Sequence, residues 1–99
     1  MKIELLPSAR EDLAEGFVFY EKQSPGLGSY FLDSLFTDID SLTLYGGIHR
    51  RVFGAHRLLA HTFPFAVYYD VTADTARVKA VLDCRRDPKW IHKKLRETH

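Results

Sequence analysis

The apolar residues of this chain change their spacing at Gly46-Gly47, and this change limits the folds that the chain can adopt. Before the two glycines, apolar side chains recur at every third or fourth position, as they do along one face of an α-helix. After the glycines they alternate with polar residues or form short β-branched and aromatic runs, as in β-strands. Helices in one half and strands in the other predict an α+β domain, in which the helices pack on a sheet.

Two helices are predicted before the glycines, after a short strand at residues 2–6. The first is expected to begin at Ser8, because Ser8 and Glu11 have the spacing of a capping box, in which each side chain bonds the backbone N–H of the other. It should end at residues 24–26, Ser-Pro-Gly, since proline and glycine terminate helices. The second spans about residues 27–44, and the short turn between the two predicts an antiparallel helical hairpin.

Three strands are predicted after the glycines. The first starts near Arg51 and resumes at residues 56–61. The second covers residues 65–71, which are rich in β-branched and aromatic side chains. The third covers residues 76–82 and follows a hairpin turn at residues 72–75.

Asp87-Pro88 is a helix-start signal, with aspartate as the N-cap and proline at the first helical position. It predicts a short C-terminal helix that extends to about Glu97. The predicted element order is therefore β-α-α-β-β-β-α. We expect residues 1–99 to form a single α+β domain, with a helical hairpin packed on a mostly antiparallel four-stranded sheet and a short C-terminal helix.

Charge is distributed unevenly along the chain, although the formal net charge is only +1. Residues 1–45 hold three Lys or Arg and eight Asp or Glu, a net of −5, whereas residues 46–99 hold eleven and five, a net of +6. This division is typical of a molecule with one basic face, suited to an acidic partner or to phosphates. The alternative is that the two halves neutralise each other in the fold.

The strongest candidate for a binding site is Arg85-Arg86 with Trp90, just after the last predicted strand. The guanidinium group of arginine is rigid and permanently charged, and it binds phosphate or carboxylate through paired hydrogen bonds. Arginine and tryptophan are also common at the centres of interfaces. Arg57 lies among apolar neighbours on an earlier strand, so it must reach an edge, form an ion pair or bind a partner. The alternatives are that an arginine pairs with a nearby carboxylate such as Asp83, and that Trp90 is a core residue.

No pattern typical of a metal-dependent or covalent enzyme is present in the sequence. The five histidines lack metal-ligand spacing, and Cys84 has no cysteine or histidine close to it in the chain. A single cysteine excludes an internal disulfide and suits a reducing compartment. No apolar run approaches the roughly 20 residues of a membrane span. We therefore expect a cytoplasmic protein without a metal or another cofactor.

Several segments together resemble the RelE/ParE superfamily of bacterial type II toxin–antitoxin toxins, and its ParE branch in particular. Their order and spacing carry the resemblance, since none of them is diagnostic alone. The segments are residues 9–13 (Ala-Arg-Glu-Asp-Leu), residues 19–28 leading into Phe31-Leu32, residues 57–59 (Arg-Leu-Leu), residues 63–69 (Phe-Pro-Phe-Ala-Val-Tyr-Tyr), residues 85–88 (Arg-Arg-Asp-Pro) and Trp90. The resemblance implies a fold with the element order predicted above.

The resemblance also implies a toxin that a cognate antitoxin protein neutralises. In this superfamily a disordered C-terminal segment of the antitoxin folds as it wraps the helical hairpin and the sheet. The second helix has a wide apolar stripe, so Phe31, Leu35 and Ile39 are the expected antitoxin-binding residues. Direct DNA binding is expected only through the complex with the antitoxin.

The two branches of the superfamily differ in their targets. The RelE branch cleaves messenger RNA on the ribosome with scattered basic residues and no metal, whereas the ParE branch inhibits DNA gyrase by binding. Arg57 and Arg86 match basic positions of the RelE branch, but Leu59 and Ala66 stand where that branch has two more. The superfamily often has histidine where Asp83 stands.

The resemblance therefore favours a ParE-like gyrase inhibitor without catalytic residues, whose target-binding residues are Arg57, Arg85, Arg86 and Trp90. One alternative is a RelE-like ribosome-dependent endoribonuclease, for which Arg57 and Arg86 would be the catalytic residues. The other is a degenerate, non-toxic member of the superfamily.

Overall fold

A computed structural model describes residues 1–98 of the chain. Its elements are, in order, β1 (Lys2–Leu5), α1 (Pro7–Gln23), α2 (Leu27–Asp40), α3 (Leu42–Tyr45), β2 (Arg51–Val52), β3 (Ala55–Leu59), β4 (Phe65–Thr72), β5 (Thr75–Asp83) and α4 (Pro88–Arg96). The strands form one sheet in the order β1-β5-β4-β3-β2. β1 runs parallel to β5, and the other neighbours are antiparallel. The predicted α+β class, with a helical hairpin on a mostly antiparallel sheet, is confirmed.

The sheet has five strands and not the predicted four. Arg51 and Val52 form a separate two-residue strand that pairs with the start of β3. Phe53 and Gly54 connect the two strands, with φ angles of 55° and 83°. Such left-handed backbone reverses the chain in a tight hairpin. The interpretation of this region as one interrupted strand was wrong because phenylalanine rarely adopts a positive φ, so its presence gives no turn signal.

The predicted capping box is not formed. Helix α1 begins at Pro7, and the Ser8 hydroxyl donates a hydrogen bond to the backbone carbonyl of Lys79 at 2.6 Å. β1 pairs with β5 only as far as Val78, so the next residues of β5 have no strand on that side. Ser8 therefore satisfies a carbonyl at the edge of the sheet instead of its own helix.

The predicted second helix is interrupted at Ser41, which separates α2 from α3. The Ser41 hydroxyl donates to the Asp38 carbonyl at 2.6 Å. Serine side chains that bond backbone carbonyls in this way compete with the regular helical pattern. In α3, Leu42 is fully buried and Leu44 is 80% exposed.

The core has two layers, one on each face of the sheet. Helices α1 and α2 cover one face, where Leu13, Phe31 and Leu35 meet Val67 and Tyr69 of β4. Helix α4 covers part of the other face through its two buried residues, Ile91 and Leu95. Residues 65–69 of β4 are consequently buried on both faces. The loop from β5 to α4, which carries the candidate arginines, lies at the edge of the second layer.

Candidate interaction site

The loop of residues 84–87 joins β5 to α4, and Asp87 fixes its far end. The Asp87 carboxylate accepts a hydrogen bond from the backbone N–H of Lys89 at 2.8 Å, and Pro88 is the first residue of the helix. This is the N-cap geometry that satisfies a free N–H of the first helical turn. The predicted Asp87-Pro88 helix start is confirmed.

Arg85 is held by Asp83 in a bidentate ion pair. Its Nε donates to Oδ1 of Asp83 at 3.0 Å and its Nη2 to Oδ2 at 2.7 Å, while its backbone N–H also donates to Oδ1 at 2.8 Å. Hydrogen bonding from the Arg85 side chain holds the pKa of Asp83 below its usual range. Arg85 therefore lies at the surface with its charge largely matched by an internal partner, which is the alternative considered from the sequence.

Arg86 lies over the indole of Trp90, with its guanidinium carbon 3.8 Å from the ring centroid. Lys94, one helical turn further on, places its ammonium 5.8 Å from the same centroid. Trp90 is half-buried and packs beside the core layer under α4. It is therefore both a packing residue and a cation–π partner, a contact worth about 0.5–1 kcal/mol at an exposed site. Arg86 has no carboxylate partner among the described residues.

Arg57 lies on the sheet, where it is the register partner of Tyr68. Burial raises the pKa of the Tyr68 hydroxyl, and the neighbouring Arg57 acts in the opposite direction. Burial likewise raises the pKa of the Cys84 thiol, and Arg57 again opposes it. Arg57 is therefore close to the start of the arginine loop, on the face of the sheet that α4 partly covers.

Leu59 and Ala66 are register partners on the same face of the sheet as Arg57. Leu59 is 55% exposed, whereas Ala66 is fully buried. These are the two positions at which the RelE branch is expected to carry further basic residues. The surface beside Arg57 is consequently apolar.

The expected antitoxin-binding stripe lies inside the protein. Phe31, Leu35 and Ile39 are 0%, 0% and 2% exposed. The Phe31 ring stacks on Tyr20 with a centroid distance of 5.1 Å and contacts Phe65 edge-on at 5.0 Å. The assignment of these three residues to a partner surface is wrong for this fold, because they pack into the core against α1 and the sheet.

Exposed apolar side chains lie on other faces of the helical hairpin. Val18 and Phe19 of α1 are 48% and 53% exposed, and Tyr30 and Phe36 of α2 are 54% and 39% exposed. None of these four residues was predicted from the sequence to bind a partner. Only the packing of the hairpin separates them from the core residues.

A cleft of about 330 Å³ lies between α1 and the β5–α4 segment, and we call it the α1–α4 cleft. Its walls include Phe19, Arg86, Trp90 and Lys94. Asp12 lies in it with one carboxylate oxygen, Oδ2, 2.9 Å from the backbone N–H of Val81. Burial raises the pKa of Asp12 to about 6, against the opposing effects of that hydrogen bond and of Lys94. Asp12 was not predicted as a site residue, because in the sequence it is one of several acidic residues early in a helix.

Two further observations concern the described residues alone. Within residues 1–98, no group of three or more His, Cys, Asp and Glu side chains is placed to hold a metal ion. None of the helices in this part of the chain is long and apolar enough to cross a membrane.

Comparison with solved structures agrees with this architecture. Seven chains match, and one of them belongs to the chromosomal ParDE TA system from P. aeruginosa. That chain superposes with a TM-score of 0.74 at 15% sequence identity, over 82% of this chain and 92% of its own length. Comparisons with models of protein families and with curated proteins give no match. The chain thus has a RelE/ParE-like fold, and the resemblance noted from the sequence is confirmed at this level.

Proposed function

We propose that this chain is a ParE-like toxin of a type II toxin–antitoxin system, which acts in the cytoplasm by binding DNA gyrase. The fold shared with a chain of a ParDE system supports the toxin class. A likeness of fold does not determine a target, so the choice of target depends on the candidate site itself. The proposed target-binding residues are Arg57, Arg85, Arg86 and Trp90, of which Arg85 contributes least because Asp83 already pairs with it.

The residues around Arg57 on the sheet face are the observation that favours the ParE type over the RelE type. Ribonuclease action of the RelE kind needs several cations that stabilise charge on the reacting phosphate. Here the neighbours of Arg57 on that face include Tyr68, its register partner, and the Leu59–Ala66 pair, and none of the three supplies a cation. Arg86 on Trp90 instead combines the residue types that are enriched in binding hot spots. The arrangement therefore favours binding over cleavage.

A supercoiling assay with purified gyrase tests the proposal. Wild-type protein should inhibit the reaction, and Arg86→Ala should weaken the inhibition. Arg77→Ala is the matched control, because Arg77 lies near the other end of β5 and faces Glu4 at 3.5 Å. Supercoiling that continues unchanged in excess wild-type protein would contradict gyrase as the target.

Cleavage of messenger RNA is the second candidate, favoured by one observation. Arg57 lies beside the hydroxyl of Tyr68, so a cation and a phenol share the sheet face. In a translating extract, cleavage of ribosome-bound message that Arg57→Ala or Arg86→Ala abolishes would assign the chain to the RelE type. Normal growth of cells that express the chain alone would instead indicate a degenerate, non-toxic member.

The proposed antitoxin partner would bind the exposed apolar side chains of the helical hairpin. Val18, Phe19, Tyr30 and Phe36 offer apolar area that the fold leaves uncovered. An amphipathic segment that folds on binding uses such area as its anchor. Co-expression with a candidate antitoxin, sought as a small reading frame beside the gene for this chain, followed by co-purification, tests this. Val18→Asp should break the complex without unfolding the toxin.

A further inference from the structure

The α1–α4 cleft has a chemical character that gyrase or antitoxin binding does not require. It is a concave site of about 330 Å³, near the lower end of the roughly 300–1,000 Å³ of small-ligand pockets. Phe19 on α1 and Trp90 on α4 line it from two different elements, and Arg86 and Lys94 add cations. A site of this size with aromatic and cationic walls suits a flat, π-rich ligand.

Arg86 and Trp90 are stacked on each other at the wall of this cleft, and we call the pair the Arg86–Trp90 platform. The guanidinium is stacked 3.8 Å from the indole centroid, and Arg86 is exposed, so its outer face is open to a ligand. Nucleobases stack on guanidinium planes and on aromatic rings, and a stack on an aromatic ring is worth about 1–3 kcal/mol. The ring of Phe19, 53% exposed, lines the same cleft from α1 and can contact a base there.

Asp12 provides a hydrogen-bond acceptor inside the cleft. Its Oδ2 accepts from Val81, and among the described residues no donor is bonded to its Oδ1. A carboxylate oxygen of this kind accepts from an exocyclic amino group, as on cytosine, adenine or guanine. It would repel the carbonyl oxygen that uracil and thymine carry in place of the amine.

A peptide strand is a poorer occupant of the same cleft. Such a strand would bind by hydrogen bonds to the free edge of β5. That edge is already in use, because Ser8 donates to the Lys79 carbonyl and Asp12 accepts from the Val81 N–H. The backbone groups that a peptide needs there are therefore satisfied by α1.

The cations around the cleft lie mainly on its α4 side, where they can bind a phosphate. Glu15 and Asp83 also line the cleft, and Asp83 is paired with Arg85. Lys94 lies at the wall, and the adjacent surface of α4 carries Lys89 and Lys93, both exposed. A nucleotide is expected to direct its phosphate towards these lysines, away from Glu15.

We propose that the α1–α4 cleft binds a nucleobase that carries an exocyclic amino group, stacked on the Arg86–Trp90 platform and bonded through its amine to Asp12. The base can come from a free nucleotide or from a single strand of nucleic acid. The proposal does not depend on which target the toxin inhibits.

Trp90 reports on this site directly, because it is the only tryptophan of the chain. Its fluorescence should be quenched on titration with CMP, and UMP should bind about 3- to 10-fold more weakly, as expected for the loss of one hydrogen bond and the gain of a repulsion. Equal binding of CMP and UMP to the wild-type protein would overturn the role of Asp12. Absence of quenching by CMP and by cytidine oligonucleotides would overturn the site.

Variants separate the base contacts from general effects. Asp12→Asn keeps an oxygen for the Val81 N–H and turns the free acceptor into a donor, so the preference for CMP over UMP should vanish or reverse. Phe19→Leu should weaken both nucleotides. Tyr45→Leu is the control, because Tyr45 has the same 53% exposure as Phe19 and lies outside the cleft. Equal loss in Phe19→Leu and Tyr45→Leu would contradict the proposal.

Two further arms identify the source of the base. A short cytidine oligonucleotide that binds at least tenfold more tightly than CMP, with an affinity that falls as salt rises, indicates a nucleic acid strand. Equal affinities for the two indicate a free nucleotide. Quenching that occurs with the antitoxin and not with any nucleotide would assign the cleft to a protein partner and overturn the proposal.

Discussion

The carboxylate of Asp12 accepts a hydrogen bond from the backbone N–H of Val81 at 2.9 Å, so a side chain of α1 takes the place of a neighbouring strand at the edge of β5. β1 pairs with β5 only as far as Val78, and Ser8 and Asp12 of α1 bond the next two outward-facing backbone positions. An unpaired buried backbone group costs about 1–3 kcal/mol, which explains why polar residues stand on this side of the helix. As a result, the Asp12 carboxylate is partly buried and has lost part of its hydration.

The first prediction concerns the effect of pH on stability through Asp12. Its pKa is about 6 in the folded chain and near 3.8 when exposed, so between these pH values the folded state binds more protons than the unfolded state. The contribution of Asp12 to the free energy of unfolding therefore decreases as the pH rises towards 6 and stays low above it. Allowing for the partial exposure of the group, the cost of ionisation is on the order of 1–2 kcal/mol.

Urea denaturation of the wild type and Asp12→Asn at pH 7.5 and pH 5 measures this contribution. Asparagine keeps an acceptor for Val81 and does not titrate. The free energy of unfolding of the wild type relative to the variant should increase on going to pH 5. A difference that is the same at both pH values would contradict the raised pKa.

The second prediction is that Gly16→Ala destabilises the protein, although alanine favours a helix over glycine by about 1 kcal/mol. A Cβ at this position would lie 2.5 Å from two ring atoms of Phe31, a fully buried side chain. Forcing a methyl group into a packed core costs typically about 1–3 kcal/mol. Thermal or urea denaturation measures the loss, and Glu15→Ala, exposed on the same helix, is the control that should have little effect. Unchanged or increased stability of Gly16→Ala would show that α1 and α2 are not in close contact here.

The third prediction concerns Tyr69, which connects the β4 strand to the segment before β2. Its hydroxyl accepts a hydrogen bond from the Gly47 N–H at 2.9 Å and lies 2.5 Å from Nδ1 of His49. Tyr69→Phe leaves the ring in place and removes both bonds, so the free energy of unfolding should fall by about 1–3 kcal/mol. Tyr45→Phe, at an exposed site, should be neutral.

Hydrogen exchange locates the effect of Tyr69→Phe. The Gly47 amide should lose protection, since its acceptor is gone. Protection at Gly47 that equals that of the wild type would show that the hydroxyl does not hold this segment.

The fourth prediction separates the two adjacent arginines in target binding. Arg85 is neutralised by Asp83, so Arg85→Ala should change the concentration for half-inhibition of the target by less than about threefold. Arg86 has its charge and its outer face free for a partner, and its removal should cost about tenfold or more if it is a hot-spot residue. The supercoiling assay measures both. A larger effect of Arg85→Ala would show that the partner displaces Asp83.

The order of the predicted elements followed from local patterns, and the structure confirms it apart from two short additions, α3 and β2. The change of apolar spacing at Gly46-Gly47 separates the helical hairpin from β3, β4 and β5. Asp87 caps the last helix by accepting a hydrogen bond from the backbone N–H of Lys89, two positions further on. Such signals depend on neighbours in the chain. They act before any tertiary contact forms.

Other features depend on contacts between distant parts of the chain, and only the tertiary structure decided them. Ser8 bonds Lys79 and not Glu11, because the end of β1 leaves that carbonyl free. Phe31, Leu35 and Ile39 of α2 belong to the core, because α1 and the sheet bury them, whereas Phe36 of the same helix stays partly exposed.

The candidate site shows the same division between local and distant information. The residue types of Arg85, Arg86 and Trp90 marked the region from the sequence alone, since arginine and tryptophan are enriched at the centres of interfaces. Which arginine is free was decided by the bidentate pair between Arg85 and Asp83 and by the stacking of Arg86 on Trp90. Asp12 joined the site only because α1 packs along the open edge of β5. The physical reason is that composition and spacing determine what a segment can form, whereas the partner of each polar group depends on which distant groups the fold leaves unsatisfied.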